Sequence, residues 1–168
     1  MKIMQTAIKG EREKLLEALT YEVVDGKPIY YHSYKDVLEG KKQPEEVMGV
    51  SVLQAKVIQV IVKSLLINLS DRDYEVLFNE IGVYTKRGFR ALDIGIFDRK
   101  RISNRISDVS YSKIPPIVAI EVDTKAELEN ITFMEYVEEK VKDLFEVGTR
   151  KVIWILTKPR IVMVFEKG

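Results

Sequence analysis

No cysteine occurs in the 168 residues, and there is one histidine, His32. The first absence excludes disulfides, iron–sulfur clusters, thiol nucleophiles and every cysteine-ligated zinc site. The second excludes acid–base mechanisms built on two histidines and polyhistidine metal centres. No run approaches 18 apolar residues, so no membrane span is expected. The opening stretch MKIMQTAIKGEREK lacks the long apolar run of a secretory signal. The expectation is a soluble, cytoplasmic protein. Charge of one sign is not in excess either: 27 basic residues stand against 26 acidic ones, a net +1. Net charge therefore points neither to nucleic acid nor to acidic ligands, and any such case rests on local clustering. Internal repeats are absent, as are GxGxxG, P-loop, GxSxG and HExxH patterns. Chemistry must be carried by carboxylates, lysine, arginine, tyrosine or hydroxyls.

What remains is globular in composition, 46% apolar and 32% charged. A chain of this length can bury roughly 70% of its unfolded surface. It reads as a single domain, 1–168, with residues 1–20 as an N-terminal helical extension in which 10–19 form an amphipathic helix. Residues 21–31 read as a hairpin turning at Asp25-Gly26, a pair that tolerates positive φ. The polar segment 32–50, with Gly40 and Pro44, reads as a loop holding a short helix. Residues 51–69 carry Val57, Ile58, Ile61, Val62, Leu65 and Leu69 at helical spacing. The wide apolar arc predicts a well-buried helix. The period then changes to two: strands are expected at 74–84 and 90–98 around a TKRG turn, and at 114–123. A helix over 131–147 has Met134, Val137, Val141, Leu144 and Phe145 as its stripe, with Gly148 to end it. Strands 151–156 and 161–166 close the chain around TKPR. The order predicts an α/β fold, a central mixed sheet flanked by helices.

The segment Ile114–Lys125 carries the chemistry. Alternation along a strand puts Glu121, Asp123 and Lys125 on one face, the two acids about 7 Å apart. Carboxylates so placed repel each other unless a cation or a proton lies between them, and hard divalent cations prefer oxygen ligands. Asp93 interrupts the apolar strand around Leu92, Ile94 and Ile96. If the two strands pair, it meets Glu121 and Asp123 over one metal, and Gly95 on its face leaves room for a ligand. Lys140 lies at the edge of its helix's apolar stripe, an odd place for a solvated lysine. Glu22, His32, Tyr136 and Trp154 read on their own as surface, loop and packing residues.

This arrangement resembles the PD-(D/E)XK nuclease superfamily and, more closely, the Uma-type family of restriction-endonuclease-like proteins. The resemblance spans roughly residues 20–166 and rests on Glu22-Val-Val-Asp25-Gly26, Asp93, Pro116 with Glu121, Lys140 eight residues before Gly148, and Trp154. Leu92 stands where a proline is usual, Asp123-Thr124 where an aliphatic residue and serine are usual, and Leu144 where an aromatic is usual. The resemblance implies a restriction-endonuclease-like fold, Mg²⁺ (or Mn²⁺) as cofactor, and hydrolysis of DNA phosphodiesters to 5′-phosphates. Asp93 and Glu121 are then the expected metal ligands, with Asp123 a further one. Lys125 and Lys140 are rivals for the catalytic lysine, and strand alternation favours Lys125.

The segment 86–105 holds Lys86, Arg87, Arg90, Arg99, Lys100, Arg101 and Arg105 against Asp93 and Asp98. Such clustering predicts salt-dependent contacts with DNA phosphates beside Asp93. DNA is the expected partner, with homodimerisation open. The rival expectations are a nucleic-acid-binding module of the same fold without useful catalysis, and a domain whose acidic face binds a basic protein.

Overall fold

The computed structural model describes residues 2–168, with side chains from Ile8 onward. Helix α1 (Lys2–Ala18) leads into the hairpin β1 (Thr20–Val24) and β2 (Lys27–Tyr30). Asp25 and Gly26 turn it with φ of 52° and 74°, the primed geometry that suits the twist of the flanking strands. Two short helices, α2 (Tyr34–Leu38) and α3 (Pro44–Met48), occupy the segment read as loop, and α4 (Val52–Asn68) follows. Then come β3 (Tyr74–Thr85), β4 (Gly88–Asp98), the turn α5 (Arg99–Ile102), β5 (Val118–Val122), α6 (Phe133–Val147), β6 (Lys151–Leu156) and β7 (Ile161–Glu166).

The seven strands form one mixed sheet in the order β2-β1-β4-β5-β6-β7, with β3 also paired to β4. The one parallel pair is β5–β6, and α6 is the crossover that such a pair requires. Helices cover both faces, so the expected α/β architecture is the observed one. Adjacent residues of β5 divide between the layers. Ala119 joins Tyr136, Val137 and Leu144 of α6, while Ile120 joins Ile94 and Val62 of α4.

Helix α6 starts where Thr132 and Glu135 cap each other's backbone N–H at 3.2 and 2.6 Å. It ends at Gly148, whose φ of 119° is one that side chains resist. Its buried face is Tyr136, Val137, Lys140, Val141, Asp143 and Leu144, whereas Met134 is exposed. The apolar stripe is thus rotated from the expected one, and Lys140 lies in its middle. Helix α4 departs from expectation too. Only Gln54 and Val62 are buried, and Leu53, Val60, Leu66 and Ile67 face outward. An apolar arc is buried only as far as another layer reaches over it, and here the sheet covers one side.

Strand β4 positions everything that follows. On one edge β3 accompanies it from Gly88 to Asp98. On the other edge β1 pairs only with Gly88 and Phe89, and β5 only with Ile94–Ile96. Between these partners the edge of β4 from Arg90 to Asp93 faces a notch in the sheet. Backbone groups there need other partners, because a buried N–H or C=O left unpaired costs about 1–3 kcal/mol.

A buried ionic notch opening on a cleft

Charged side chains fill that notch. Glu22 Oε1 accepts the Ala91 N–H at 3.2 Å, and Lys140 Nζ donates to the Ala91 carbonyl at 2.6 Å. Asp93 Oδ2 accepts the Val122 N–H at 2.8 Å, where the β4–β5 ladder has ended. Lys140 Nζ also lies 2.6 Å from Glu22 Oε1 and 2.7 Å from Glu121 Oε1. Glu22 Oε2 receives Arg90 and the Tyr136 hydroxyl, both at 2.8 Å. Arg90 reaches Asp143 at 2.7 and 2.9 Å. Glu22 is turned inward by a register shift in β1 between Thr20 and Glu22, which buries Tyr21 and Glu22 together.

Buried charges must be paired, and here the pairing falls short. Glu22, Asp93, Glu121 and Asp143, all buried, stand against buried Arg90 and Lys140, with the half-buried Arg87 also reaching Asp143 at 3.3 Å, so the acids outnumber the cations by one. The shortfall lies at Glu121 and Asp93. Lys140 Nζ is close to Glu121 Oε1 but poorly aligned for a hydrogen bond, and that oxygen has no directed donor. Burial pushes the Glu121 carboxyl well up from its ordinary range; Lys140 restrains the rise and Asp93 adds to it. Burial likewise raises Asp93. Glu22 moves down: Lys140 and Arg90 outweigh the desolvation that would raise it. For Lys140, burial alone would favour the neutral amine, but Glu121 and Glu22 overcome it and hold the ammonium charged.

The notch opens through Asp93 into a cleft of about 740 Å³ between α4 and β3, lined also by Ile58, Leu66, Phe78, Glu80 and Lys125. Lys125 Nζ lies 2.7 Å from Glu80 Oε1. Glu80 has no counterpart among the residues singled out from the sequence, because nothing in VLFNEIG announces that its strand breaks step there. Among the described residues, no three histidine or acidic side chains converge as a metal-binding group.

The structure brings Asp93, Glu121 and Lys140 together, with Lys125 at the cleft, and moves Asp123 away. Strand β5 ends at Val122, and Asp123 adopts φ of 56°. Its carboxylate accepts the Thr157 N–H at 2.9 Å and the Thr157 hydroxyl at 2.6 Å. The alternation that put Glu121, Asp123 and Lys125 on one face thus stops one residue too early. The space over Gly95 is not a ligand's: a Cβ there would meet the Phe97 ring at 2.6 Å.

The basic segment is not one patch. Arg90 is fully buried and cannot meet DNA. Arg87 is tied to Asp25 and Asp143, Arg99 to Glu75, and Arg105 lies 3.9 Å from Asp108. Lys86, Lys100 and Arg101 are exposed. Lys100 and Arg101 share a hollow with Arg150 at the far end of β4, five residues and roughly 17 Å from Asp93.

No protein-family model matches this chain, and no curated protein matches it in sequence. Among solved structures, it is similar to that of a "putative nuclease belonging to DUF820" from Anabaena variabilis ATCC 29413. The TM-score is 0.53 at 18% identity, over 86% of this chain and 70% of that one. The likeness is one of fold: a mixed seven-stranded sheet flanked by helices.

Proposed function

We propose that this protein is a metal-dependent nuclease that hydrolyses DNA phosphodiesters. The observation that carries the reading is the pair Asp93 and Glu121, two buried carboxylates brought together beside one ammonium, Lys140, with Asp93 opening on the cleft. These residues fit a divalent cation. One Glu121 oxygen lacks a directed donor, and Mg²⁺ commonly takes one or two carboxylates, completing its shell with water and substrate phosphate. Asp93 and Glu121 would hold it, and the bound ion would supply Lewis-acid stabilisation of charge on the phosphate. Lys140 clamps Glu121 from behind, and its burial keeps it from substrate. Lys125, which lines the cleft with Asp93, would be the cation that meets the attacked phosphate.

Incubation with supercoiled plasmid tests this. Nicked and linear products are expected with Mg²⁺ or Mn²⁺, and none with chelator or in Asp93→Ala. Cleavage that persists in Asp93→Ala overturns the assignment. A second reading, a catalytically inactive nucleic-acid-binding module of this fold, is favoured by one observation: Glu22 and Lys140 satisfy the Ala91 backbone, a task that needs no catalysis. DNA binding without cleavage in the same assay would select it.

A further inference from the structure

We propose that Glu80, lifted on a break in β3, is the positioning residue that holds the Lys125 ammonium over Asp93. The inference rests on the nuclease reading and deepens it. The register of β3 on β4 runs Phe78 with Ile94 and then Ile81 with Leu92. Two residues, Asn79 and Glu80, therefore stand opposite Asp93 alone. Both have positive φ, 78° and 62°. Asparagine tolerates that conformation, but glutamate is strained in it, and such residues persist where the surroundings over-determine them.

The surroundings here are specific. One Glu80 oxygen lies 2.7 Å from Lys125 Nζ, and the other accepts the Tyr31 hydroxyl at 2.8 Å. Tyr31 is buried, so the carboxylate is fixed from below. Lys125 follows the end of β5, and its backbone carbonyl accepts the His32 N–H at 2.6 Å. Its main chain is thereby anchored, while its side chain would otherwise sample many rotamers that substrate binding would have to order. Glu80, Lys125 and Asp93 line the same cleft. The ammonium is thus held beside Asp93 before substrate arrives, instead of being ordered during the reaction. Such pre-organisation speeds turnover without tightening binding. Because Glu80 competes with phosphate for Lys125, its loss frees the lysine for substrate.

Steady-state cleavage kinetics separate these effects. Glu80→Gln is expected to lower kcat at least tenfold while KM for DNA stays level or falls. Tyr31→Phe, which changes no charge, is expected to lower kcat in the same direction with KM unmoved. Glu80→Asp keeps the charge but shortens the reach, so kcat falls and KM stays at the wild-type value. A proton–nitrogen NMR experiment on the lysine ammonium groups reads the anchoring without activity. Lys125 should give a slowly exchanging ammonium signal in wild type that is lost in Glu80→Gln, while the Lys140 signal persists as evidence of an intact fold. Persistence of the Lys125 signal in Glu80→Gln, or unchanged kcat in that variant, overturns the proposal. Absence of cleavage in wild type overturns the nuclease reading instead, and the NMR result then decides whether Glu80 holds Lys125.

Discussion

Lys140→Met removes the one ammonium that touches Glu22, Glu121 and the Ala91 carbonyl while keeping an unbranched side chain of similar length. Glu22 retains Arg90 and Tyr136; Glu121 retains nothing positive. Breaking a buried pair from one side costs about 3–5 kcal/mol. At about 2–4 °C per kcal/mol for a chain of this size, the melting temperature should fall by roughly 6–20 °C. In Lys140→Met/Glu121→Gln the stranded charge is gone, and the main remaining loss is the Ala91 carbonyl, about 1–3 kcal/mol. Urea unfolding of the four proteins in chelator measures the cycle, and the double variant should be more stable than Lys140→Met. The pH dependence has a defined sign. Glu121 is raised above its ordinary 4.5 in the folded protein. The native state therefore binds more protons than the unfolded chain above that pH, and wild-type stability falls as pH rises through the window. Lys140 restrains that rise, so the fall is steeper without it and the gap between the proteins narrows on acidification. Lys140 itself, raised above 10.5, contributes its full stabilisation at every pH below that value, so it adds no slope of its own. A double variant as unstable as the sum of the singles, or a Lys140→Met cost below about 1 kcal/mol, would refute the reasoning.

Asp123→Ala should cost about 1–3 kcal/mol through the broken Thr157 bonds while leaving Mn²⁺ affinity by calorimetry unchanged. Glu121→Ala should weaken that affinity at least roughly tenfold, about 1.4 kcal/mol. Replacing Lys100, Arg101 and Arg150 by alanine should reduce the salt slope of log K for duplex DNA by up to about 0.9 for each phosphate that these side chains neutralise. An unchanged slope would mark that hollow as plain solvated surface.

Much of this was legible in the residues, where local chemistry dictates the outcome. Asp25-Gly26 turned the first hairpin, Gly148 ended α6, and the change of period after α4 marked the sheet. Asp93 betrayed itself as an acid in an apolar strand. Two misreadings share a cause: periodicity assumes that a strand keeps step. Positive φ at Asp123 ended β5 before Lys125 could follow Glu121, and the same event at Asn79 and Glu80 hid Glu80. Arg90 looked like surface because it sits among other basic residues, yet β4 is buried from Arg90 to Phe97. Its charge is answered by Glu22 and Asp143, 68 and 53 residues away in sequence, a pairing that no local pattern announces.

The notch along β4 also bears on how the chain reaches its native state. The Ala91 amide is satisfied by a side chain 69 residues earlier, and its carbonyl by one 49 residues later. Tyr136 meets Glu22 across 114 residues. Closing such long loops is entropically costly and precedes any reward from the contacts they bring. The ionic notch is therefore expected to form late in folding, when β1, β4, β5 and α6 are all in place. Its opening demands that several of these elements separate together. The Ala91 amide should then exchange with solvent through global unfolding alone, making one backbone proton a gauge of the stability of the whole fold.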